Sequence, residues 1–140
     1  NQIGPGKRPL HTLVPAMILK EGKPWVSFGV MGGDNQAQAH AQIVANLVDF
    51  GMNVQQAGDA ARMRHLGSAT PTGQPMDPAG GKVACESGIT AEVRAALAGR
   101  GHVIDTVRQS YGGYQAIRID AAGTFFGGTD PRKDGAAVGY

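Results

Sequence analysis

A junction between a strand-like run and a helix-like segment most constrains how this chain can fold. The apolar run Trp25–Val30 stops just before two consecutive glycines, Gly32 and Gly33, and helical periodicity follows over Asn35–Phe50. Glycine adopts positive φ without steric cost and lets other groups approach the backbone closely. The first N–H groups of a helix lack intrahelical partners, and the helix dipole is positive there. The junction therefore predicts either a tight turn or a cradle for negative charge, and the residue pattern leaves both open.

Hydrophobic periodicity along the rest of the chain predicts an α+β domain that spans residues 1–140. The predicted strands are Leu13–Leu19, Trp25–Val30, Lys82–Glu86, Val103–Val107, Gln115–Ile119 and Thr124–Gly127. The predicted helices are Asn35–Phe50, Val54–Arg64 and a third that Thr90 caps and Gly99 to Gly101 end. Hairpins with helices in separate layers favour α+β over a doubly wound parallel sheet. The first two strands are almost continuously apolar, which predicts a sheet covered on both faces.

Composition and spacing exclude several classes of function. The net charge of +2 is spread over interspersed basic and acidic residues, so we expect no nucleic-acid partner. No apolar run approaches the roughly 18 residues of a membrane-spanning helix, so we expect no membrane partner. The four histidines are scattered without metal-ligand spacing, and Gly29, Gly32 and Gly33 do not form a dinucleotide fingerprint. We therefore expect no metal and no cofactor.

Two further segments offer polar groups near predicted strand ends. His11 and Thr12 provide a donor and an acceptor at the entrance to the first strand, although an ordinary solvated loop has the same composition. Near the end of the chain, Arg132 is placed to pair with Asp130 or Asp134, in a segment typical of turns. The residue patterns alone thus predict an α+β domain in which the glycine junction is either a plain turn or an anion-binding turn, and they go no further.

Several motifs, taken in order, resemble the C-terminal part of the γ-glutamyltransferase family. They are KRPLHTLVP, FGVMGGDNQAQAHAQIVANLVDFGMN, DAARMRH, LAGRGH and GGTDPRKDGAAVGY, and the match runs from Gly4 to Tyr140. The resemblance implies part of an N-terminal nucleophile hydrolase, an αββα sandwich with antiparallel sheets. It also implies a precursor that cleaves itself into a large and a small subunit.

The resemblance further implies a set of site residues. In the family, a new N-terminal Thr attacks the γ-glutamyl amide with its own α-amino group as base, and the acyl group passes to water or an amine. Gly32 and Gly33 match the glycine pair whose N–H groups bind the oxyanion. His11 and Thr12 match a serine pair that helps to bind the donor. The family's nucleophile lies upstream of the matched region, so this chain is expected to need the upstream part of its precursor and to be inactive alone.

Alternatives remain open beside this interpretation. His11 and Met31 depart from the family's serine and proline, and these changes resemble the family's acylase-like branch, which predicts action on side-chain amides without a γ-glutamyl group. A non-catalytic binding or assembly module that keeps the fold is the other alternative. Strands left uncovered by a missing segment predict that the chain on its own self-associates. The donor, the acceptor and the cellular compartment are not predicted.

Overall fold

The computed structural model describes residues 2–70, 73–106 and 110–139. The strands in this part of the chain are β1 (Ala16–Lys20), β2 (Lys23–Met31), β3 (Met63–Leu66), β4 (Lys82–Cys85), β5 (Ile104–Asp105), β6 (Gly113–Ile119) and β7 (Phe125–Thr129). The helices are α1 (Gln36–Val48), α2 (Val54–Asp59) and α3 (Ala91–Gly99), and a short 3-10 turn, Gly33–Asn35, precedes α1. The glycine junction therefore does connect a strand to a helix, as the sequence predicts.

The strands form two sheets with mainly antiparallel pairing. The larger sheet has the order β1-β2-β6-β7 and is antiparallel throughout, with Met31 opposite Gly113 at one end of the β2–β6 pair. The smaller sheet has the order β3-β4-β5, in which only β4 and β5 run parallel. Hairpins in one sheet and helices in a separate layer confirm the predicted α+β class.

Helices α1 and α2 cover one face of the larger sheet. Alternate residues of β2 (Val26, Phe28 and Val30) are buried on this face, because successive side chains of a strand point to opposite sides. The buried cluster also contains Tyr114 and Ala116 of β6, Ala39, Ile43 and Leu47 of α1, and Val54 and Ala57 of α2. The glycine junction lies at the edge of this layer, because β2 ends and α1 begins at the junction.

Tyr114 is the largest fully buried aromatic side chain in that layer. Its hydroxyl donates a hydrogen bond to the Val54 carbonyl oxygen at 2.8 Å. The ring lies where a Cβ on Gly58 would collide with it, so the glycine in α2 makes room for the tyrosine. A fully buried phenol needs such a partner, because an unpaired buried hydroxyl is costly.

The opposite face of the larger sheet is exposed among the described residues. Ile117 is 49% exposed and Phe125 is 68% exposed, and Met17 and Met31 are exposed on the same face. The prediction of a sheet covered on both faces is therefore wrong for this part of the chain. The nearly continuous apolar runs reflect one face packed under helices and a second apolar face on which no described element packs.

The second predicted helix is wrong in its C-terminal half. Helix α2 ends at Asp59, and Ala60 already has an extended ψ of 137°. Arg62 then turns into the interior, and Met63–Leu66 forms a strand that pairs with β4 instead of continuing the helix. The helix propensity of this segment is a weak local preference, and the buried ion pair of Arg62 with Asp130 overrides it.

Two glutamines of α1 occupy the free edge of that missed strand. The Gln38 side chain accepts from the His65 N–H at 2.7 Å and donates to the His65 carbonyl oxygen at 3.1 Å. Gln42 makes the same pair of bonds to Met63, at 2.8 Å and 2.9 Å. Residues four apart share one helix face, and here they satisfy residues two apart on a strand edge. The helix is thereby tied to the smaller sheet.

Other element boundaries differ less from the predictions. Strand β1 begins at Ala16 instead of Leu13, because Pro15 has no N–H for the ladder. Strand β7 runs from Phe125 to Thr129, two residues beyond the predicted end. The predicted strand that ends at Val107 appears only as β5, and Val107 lies outside the described residues. The predicted cap of α3 is confirmed, since the Thr90 hydroxyl accepts the Val93 N–H at 3.4 Å.

Candidate functional site

The glycine pair forms an exposed turn at the N-terminal end of α1. Gly32 has a φ of 148° and Gly33 a φ of 58°, both in the region that favours glycine. The Gly32 carbonyl oxygen accepts the Asn35 N–H at 3.2 Å and closes the turn. A Cβ on Gly33 would meet open space, so this residue is accessible from solvent. The turn therefore lies at the positive end of a 13-residue helix dipole with room for a ligand.

A second glycine pair, Gly112 and Gly113, packs against the first. A Cβ on Gly112 would collide with the Met31 carbonyl oxygen, and it would lie 2.8 Å from Val30 Cγ1. A Cβ on Gly32 would lie 3.3 Å from the Gly112 Cα atom. The two backbones approach this closely only because both residues are glycine. Gly112 has no predicted role in the sequence, although the run Tyr-Gly-Gly-Tyr at the start of β6 was a visible signal.

A groove of about 860 Å³ runs along the exposed face of the larger sheet. Its lining includes Val14, Gly29, Met31, Gln36, Ile117 and Val138. The groove is mostly apolar, and it passes the end of β2 where the glycine turn begins. Met31 and Gln36 flank the glycine turn along the chain, so this end of the groove lies close to the turn.

The predicted donor-binding segment is connected to the turn through Gln36. His11 and Thr12 lie in an exposed stretch without regular structure. The Thr12 carbonyl oxygen accepts a hydrogen bond from Gln36 Nε2 at 2.8 Å. Because Gln36 follows Gly33 by three residues, this bond brings the segment to the glycine turn. Gln36 was predicted as part of the helix, and its contact with Thr12 was not predicted.

His40 supports the end of β2 from the helix side. Its Nε2 accepts the Val30 N–H at 3.0 Å, and its ring lies 5.0 Å from the Phe28 ring centroid to centroid. Burial lowers the pKa of His40. The acceptor nitrogen requires the neutral ring, so the side chain is suited to hold the backbone two residues before Gly32 and not to carry charge.

A cluster of two acidic and two basic side chains lies beside the start of β6, at the same end of the larger sheet as the glycine turn. Arg62 Nη2 is 2.7 Å from Asp130 Oδ2, and Arg132 Nε is 2.7 Å from Asp130 Oδ1. Arg132 Nη1 also contacts Glu86 Oε2 at 2.8 Å. Arg62 and Asp130 are only 1% and 0% exposed. Of the two partners that the sequence offered Arg132, the structure shows pairing with Asp130.

Asp130 also binds the first residues of β6. Its Oδ2 atom accepts the Tyr114 N–H at 3.1 Å. Burial by itself raises the pKa of Asp130, but hydrogen bonds from Arg132, Arg62 and the Tyr114 N–H outweigh it and lower the pKa to about 2. The carboxylate is therefore ionised at neutral pH, as its two arginine partners require.

Asn35 is a buried amide directly below the glycine turn. It is 1% exposed, and within the described part of the chain neither Oδ1 nor Nδ2 has a hydrogen-bond partner. Asn35 occupies the N-cap position of α1, but its side chain makes no capping hydrogen bond. The N-cap position of α1 is thus occupied by an asparagine whose amide does not cap the helix.

Over residues 2–70, 73–106 and 110–139, no helix has the length and apolar content needed to cross a membrane. Over the same ranges, no three His, Cys, Asp or Glu side chains are grouped so that they could hold a metal ion.

Comparison with known proteins assigns the family. The family model for gamma-glutamyltranspeptidase matches residues 1–140. The chain belongs to the gamma-glutamyltranspeptidase family. It is 36% identical over 142 residues to the glutathione hydrolase-like YwrD proenzyme of Bacillus subtilis (strain 168). The alignment covers 99% of this chain and 26% of that protein. It is 29% identical to the glutathione hydrolase proenzyme of Escherichia coli (strain K12), over 100% of this chain and 22% of that protein.

Structural comparison agrees with the gamma-glutamyltranspeptidase assignment. The cephalosporin acylase from Bacillus halodurans superimposes with a TM-score of 0.77 and 36% identity, over 99% of this chain and 25% of that one. The predicted N-terminal nucleophile hydrolase fold is confirmed. The chain spans about a quarter of the length of the curated relatives that it matches.

Proposed function

We propose that this chain supplies the oxyanion hole and part of the donor pocket of a gamma-glutamyltranspeptidase-family enzyme that cleaves γ-glutamyl or related acyl amides. The acyl group passes to water or to an amine. Gly32 and Gly33 present backbone N–H groups to the tetrahedral oxyanion. The observation that carries the proposal is the turn of these two glycines at the start of α1, directly after Met31, which lines a groove of about 860 Å³.

The conformation of the turn supports this role. Both glycines have positive φ, and a tight junction between a strand and a helix brings successive N–H groups toward one side, as in other anion-binding turns. The dipole of α1 adds positive potential at the same point. Asp34 is exposed beside the turn, and its negative charge disfavours a free anion there. This combination favours a neutral carbonyl that gains negative charge only in the transition state.

His11 and Thr12 are proposed to contact the acyl part of the substrate. The bond from Gln36 to the Thr12 carbonyl oxygen keeps this segment near the turn, and the Thr12 hydroxyl offers a hydrogen bond to a donor carboxylate. His11 is bulkier than the serine it replaces in the family pattern. A larger side chain there changes the size of the group that the pocket accepts.

The nucleophile and the rest of the pocket are proposed to come from the upstream part of the same precursor. The relatives are named proenzymes and are about four times as long as the matched region. The exposed apolar face of the larger sheet, with Met17, Ile117 and Phe125, needs a cover of that size. We expect the chain to show no turnover when it is produced alone, and to self-associate through this face.

The first test uses the complete precursor that contains this chain. Gly33→Ala adds a Cβ into open space but strains a left-handed residue, so the turn shifts while the fold is kept. We expect kcat for a γ-glutamyl anilide to fall about a hundredfold or more, the effect of losing one oxyanion donor. Gly99→Ala in α3 is the matched control, because its Cβ also meets open space and its φ is ordinary.

The outcomes separate the candidate functions. Turnover of the anilide that Gly33→Ala abolishes and Gly99→Ala leaves intact supports the γ-glutamyl proposal. A precursor that matures and cleaves only amides without a γ-glutamyl group indicates the acylase alternative, which the likeness to the cephalosporin acylase favours. Equal activity in the two alanine variants contradicts the assignment of the turn. A precursor without turnover of either amide indicates the binding module.

A further inference from the structure

We propose, on the basis of the proposed function, that Asp130 is a positioning residue for the oxyanion turn. Its carboxylate holds the start of β6 through the Tyr114 N–H, and the start of β6 in turn holds the backbone of Met31 and Gly32. Arg62 and Arg132 fix the carboxylate in that place. The ion cluster thus controls the geometry of a turn that none of its members touches.

The first step is the contact between the two glycine pairs. Gly112 fits against Met31 and Val30 with no space for a Cβ, and its Cα atom packs on Gly32. Gly113 is opposite Met31 in the β2–β6 ladder. A displacement of the backbone at 112–113 therefore moves residues 31 and 32 as well. Close packing of this kind transmits small shifts, because interiors are nearly incompressible.

The second step connects β6 to Asp130. The Tyr114 N–H donates to Asp130 Oδ2 at 3.1 Å, and the Asp130 N–H donates to the Tyr114 carbonyl oxygen at 2.9 Å. Both backbone groups of Tyr114 are thereby bound to one residue, directly after Gly113. The Tyr114 side chain is fixed separately, by the Val54 carbonyl oxygen. The residue at the start of β6 has no freedom to turn while Asp130 stays in place.

The third step fixes the carboxylate itself. Arg62 Nη2 donates to Oδ2 and Arg132 Nε donates to Oδ1, each at 2.7 Å, and Arg132 Nη2 also donates to Oδ2 at 3.2 Å. Two guanidinium groups therefore set the plane of the carboxylate. Arg132 is anchored in addition by Glu86 Oε2 at 2.8 Å and by the Gly58 carbonyl oxygen. The 1% exposure of Arg62 and the 0% exposure of Asp130 make these bonds strong and sensitive to loss of charge.

The experiment compares variants of the mature enzyme, made from the complete precursor. Asp130→Asn removes the charge at constant size, and Arg132→Lys keeps a charge but loses the two-point contact. Arg132 is a third exposed, so its variant is expected to fold even where Asp130→Asn does not. Ile43→Val is the control, because it trims the same buried layer without touching the ion cluster or the glycine turn. Rates are measured per titrated active site, well below each variant's melting temperature.

We expect both cluster variants to lower kcat about tenfold to a hundredfold while KM changes less than about twofold, the pattern of a displaced transition-state donor. The control is expected to lower thermal stability and leave kcat unchanged. Cluster variants with wild-type kcat overturn the proposal. A control whose kcat falls in proportion to its stability also overturns it, because the effect is then general loosening.

A second readout does not depend on activity. Hydrogen exchange of peptides that span residues 28–35 and 111–116 of this chain is measured in the mature enzyme. We expect about tenfold faster exchange in both peptides for the cluster variants. Exchange that rises only in 111–116 overturns the coupling of β6 to the turn. An inert wild-type enzyme with coupled exchange contradicts the proposed function and retains the structural link. An active enzyme in which the exchange of the two peptides is not coupled supports the proposed function and contradicts the structural link.

Discussion

The two faces of the four-stranded sheet use similar apolar residues for opposite purposes. On the helix side, Val30 and Tyr114 are fully buried under α1 and α2, and every polar group of Tyr114 has a partner. On the other side, Ile117 and Phe125 are exposed along a groove. Strand periodicity alone makes the two faces equivalent. The difference shows that the helix side provides the stability of the chain, whereas the groove side is available for binding.

The largest contrast is expected from removing one aromatic ring on each face. Tyr114→Ala empties a fully buried site and leaves the Val54 carbonyl without its donor, so the free energy of unfolding should fall by about 3–5 kcal/mol. Phe125→Ala on the groove side should change it by about 0.5 kcal/mol or less. Urea unfolding followed by circular dichroism measures both. Comparable losses in the two variants would show that the groove side also packs against something in the isolated chain.

Acid should weaken the helix side selectively. The pKa of Asp130 is lowered to about 2, so its contribution to stability is complete above the unfolded pKa near 4 and is lost as the pH falls toward 2. We expect the free energy of unfolding to drop by about 2–3 kcal/mol over that window, and less in Asp130→Asn. The test is to measure unfolding curves at several pH values between pH 5 and pH 2. Parallel pH profiles for the wild-type chain and Asp130→Asn would contradict the assignment of the acid-induced loss of stability to Asp130.

A charge on the groove side should change association more than stability. The double variant Ile117→Glu with Phe125→Glu adds two repelling charges to the apolar face of the chain. Self-association of the isolated chain should weaken about tenfold or more, since each buried apolar side chain is worth roughly 1.5–3 kcal/mol. Sedimentation equilibrium reports the change. As a control, Val44→Glu places one charge on the outer side of α1, away from the groove, and unchanged association is expected.

The smallest effect concerns the buried amide below the turn. Asn35→Leu replaces a side chain that has no described hydrogen-bond partner with an apolar one of similar size. The free energy of unfolding should rise by about 1 kcal/mol, because an unsatisfied buried amide is removed. A fall of similar size would instead reveal a hydrogen-bond partner for Asn35 in solution, such as an ordered water molecule. Thermal unfolding at neutral pH distinguishes the two results.

Much of the fold was predictable because it depends on local signals. Apolar runs, the Thr90 cap and the glycine junction each specify structure within a few residues. Strand β3 was not predictable from its own sequence, since its edge is completed by Gln38 and Gln42, more than twenty residues away along the chain. The open face was expected only from the resemblance to a longer protein, and the apolar pattern of the strands predicted a cover on both sides. An apolar side chain does not specify whether the partner that covers it belongs to the same segment.

The candidate site likewise has one part that local sequence predicts and one part that it does not. The Gly32–Gly33 turn was visible in the sequence, because two adjacent glycines after a strand restrict the conformation there. The contact of Gln36 with Thr12 and that of Gly112 with Gly32 join positions that are distant in sequence. Such contacts depend on the register between β2 and β6 and on the path of the N-terminal loop. Neither is encoded in a short motif.

Helix α1 begins at the glycine turn, and along its length two glutamines hold the edge of β3. It is therefore a rigid lever of about 20 Å, at a rise of 1.5 Å per residue, that joins the turn to the smaller sheet. A rotation of α1 about its own axis that released Gln38 and Gln42 would also re-aim the N–H groups at its start. A displacement of the smaller sheet would therefore change the orientation of the N–H groups at the glycine turn.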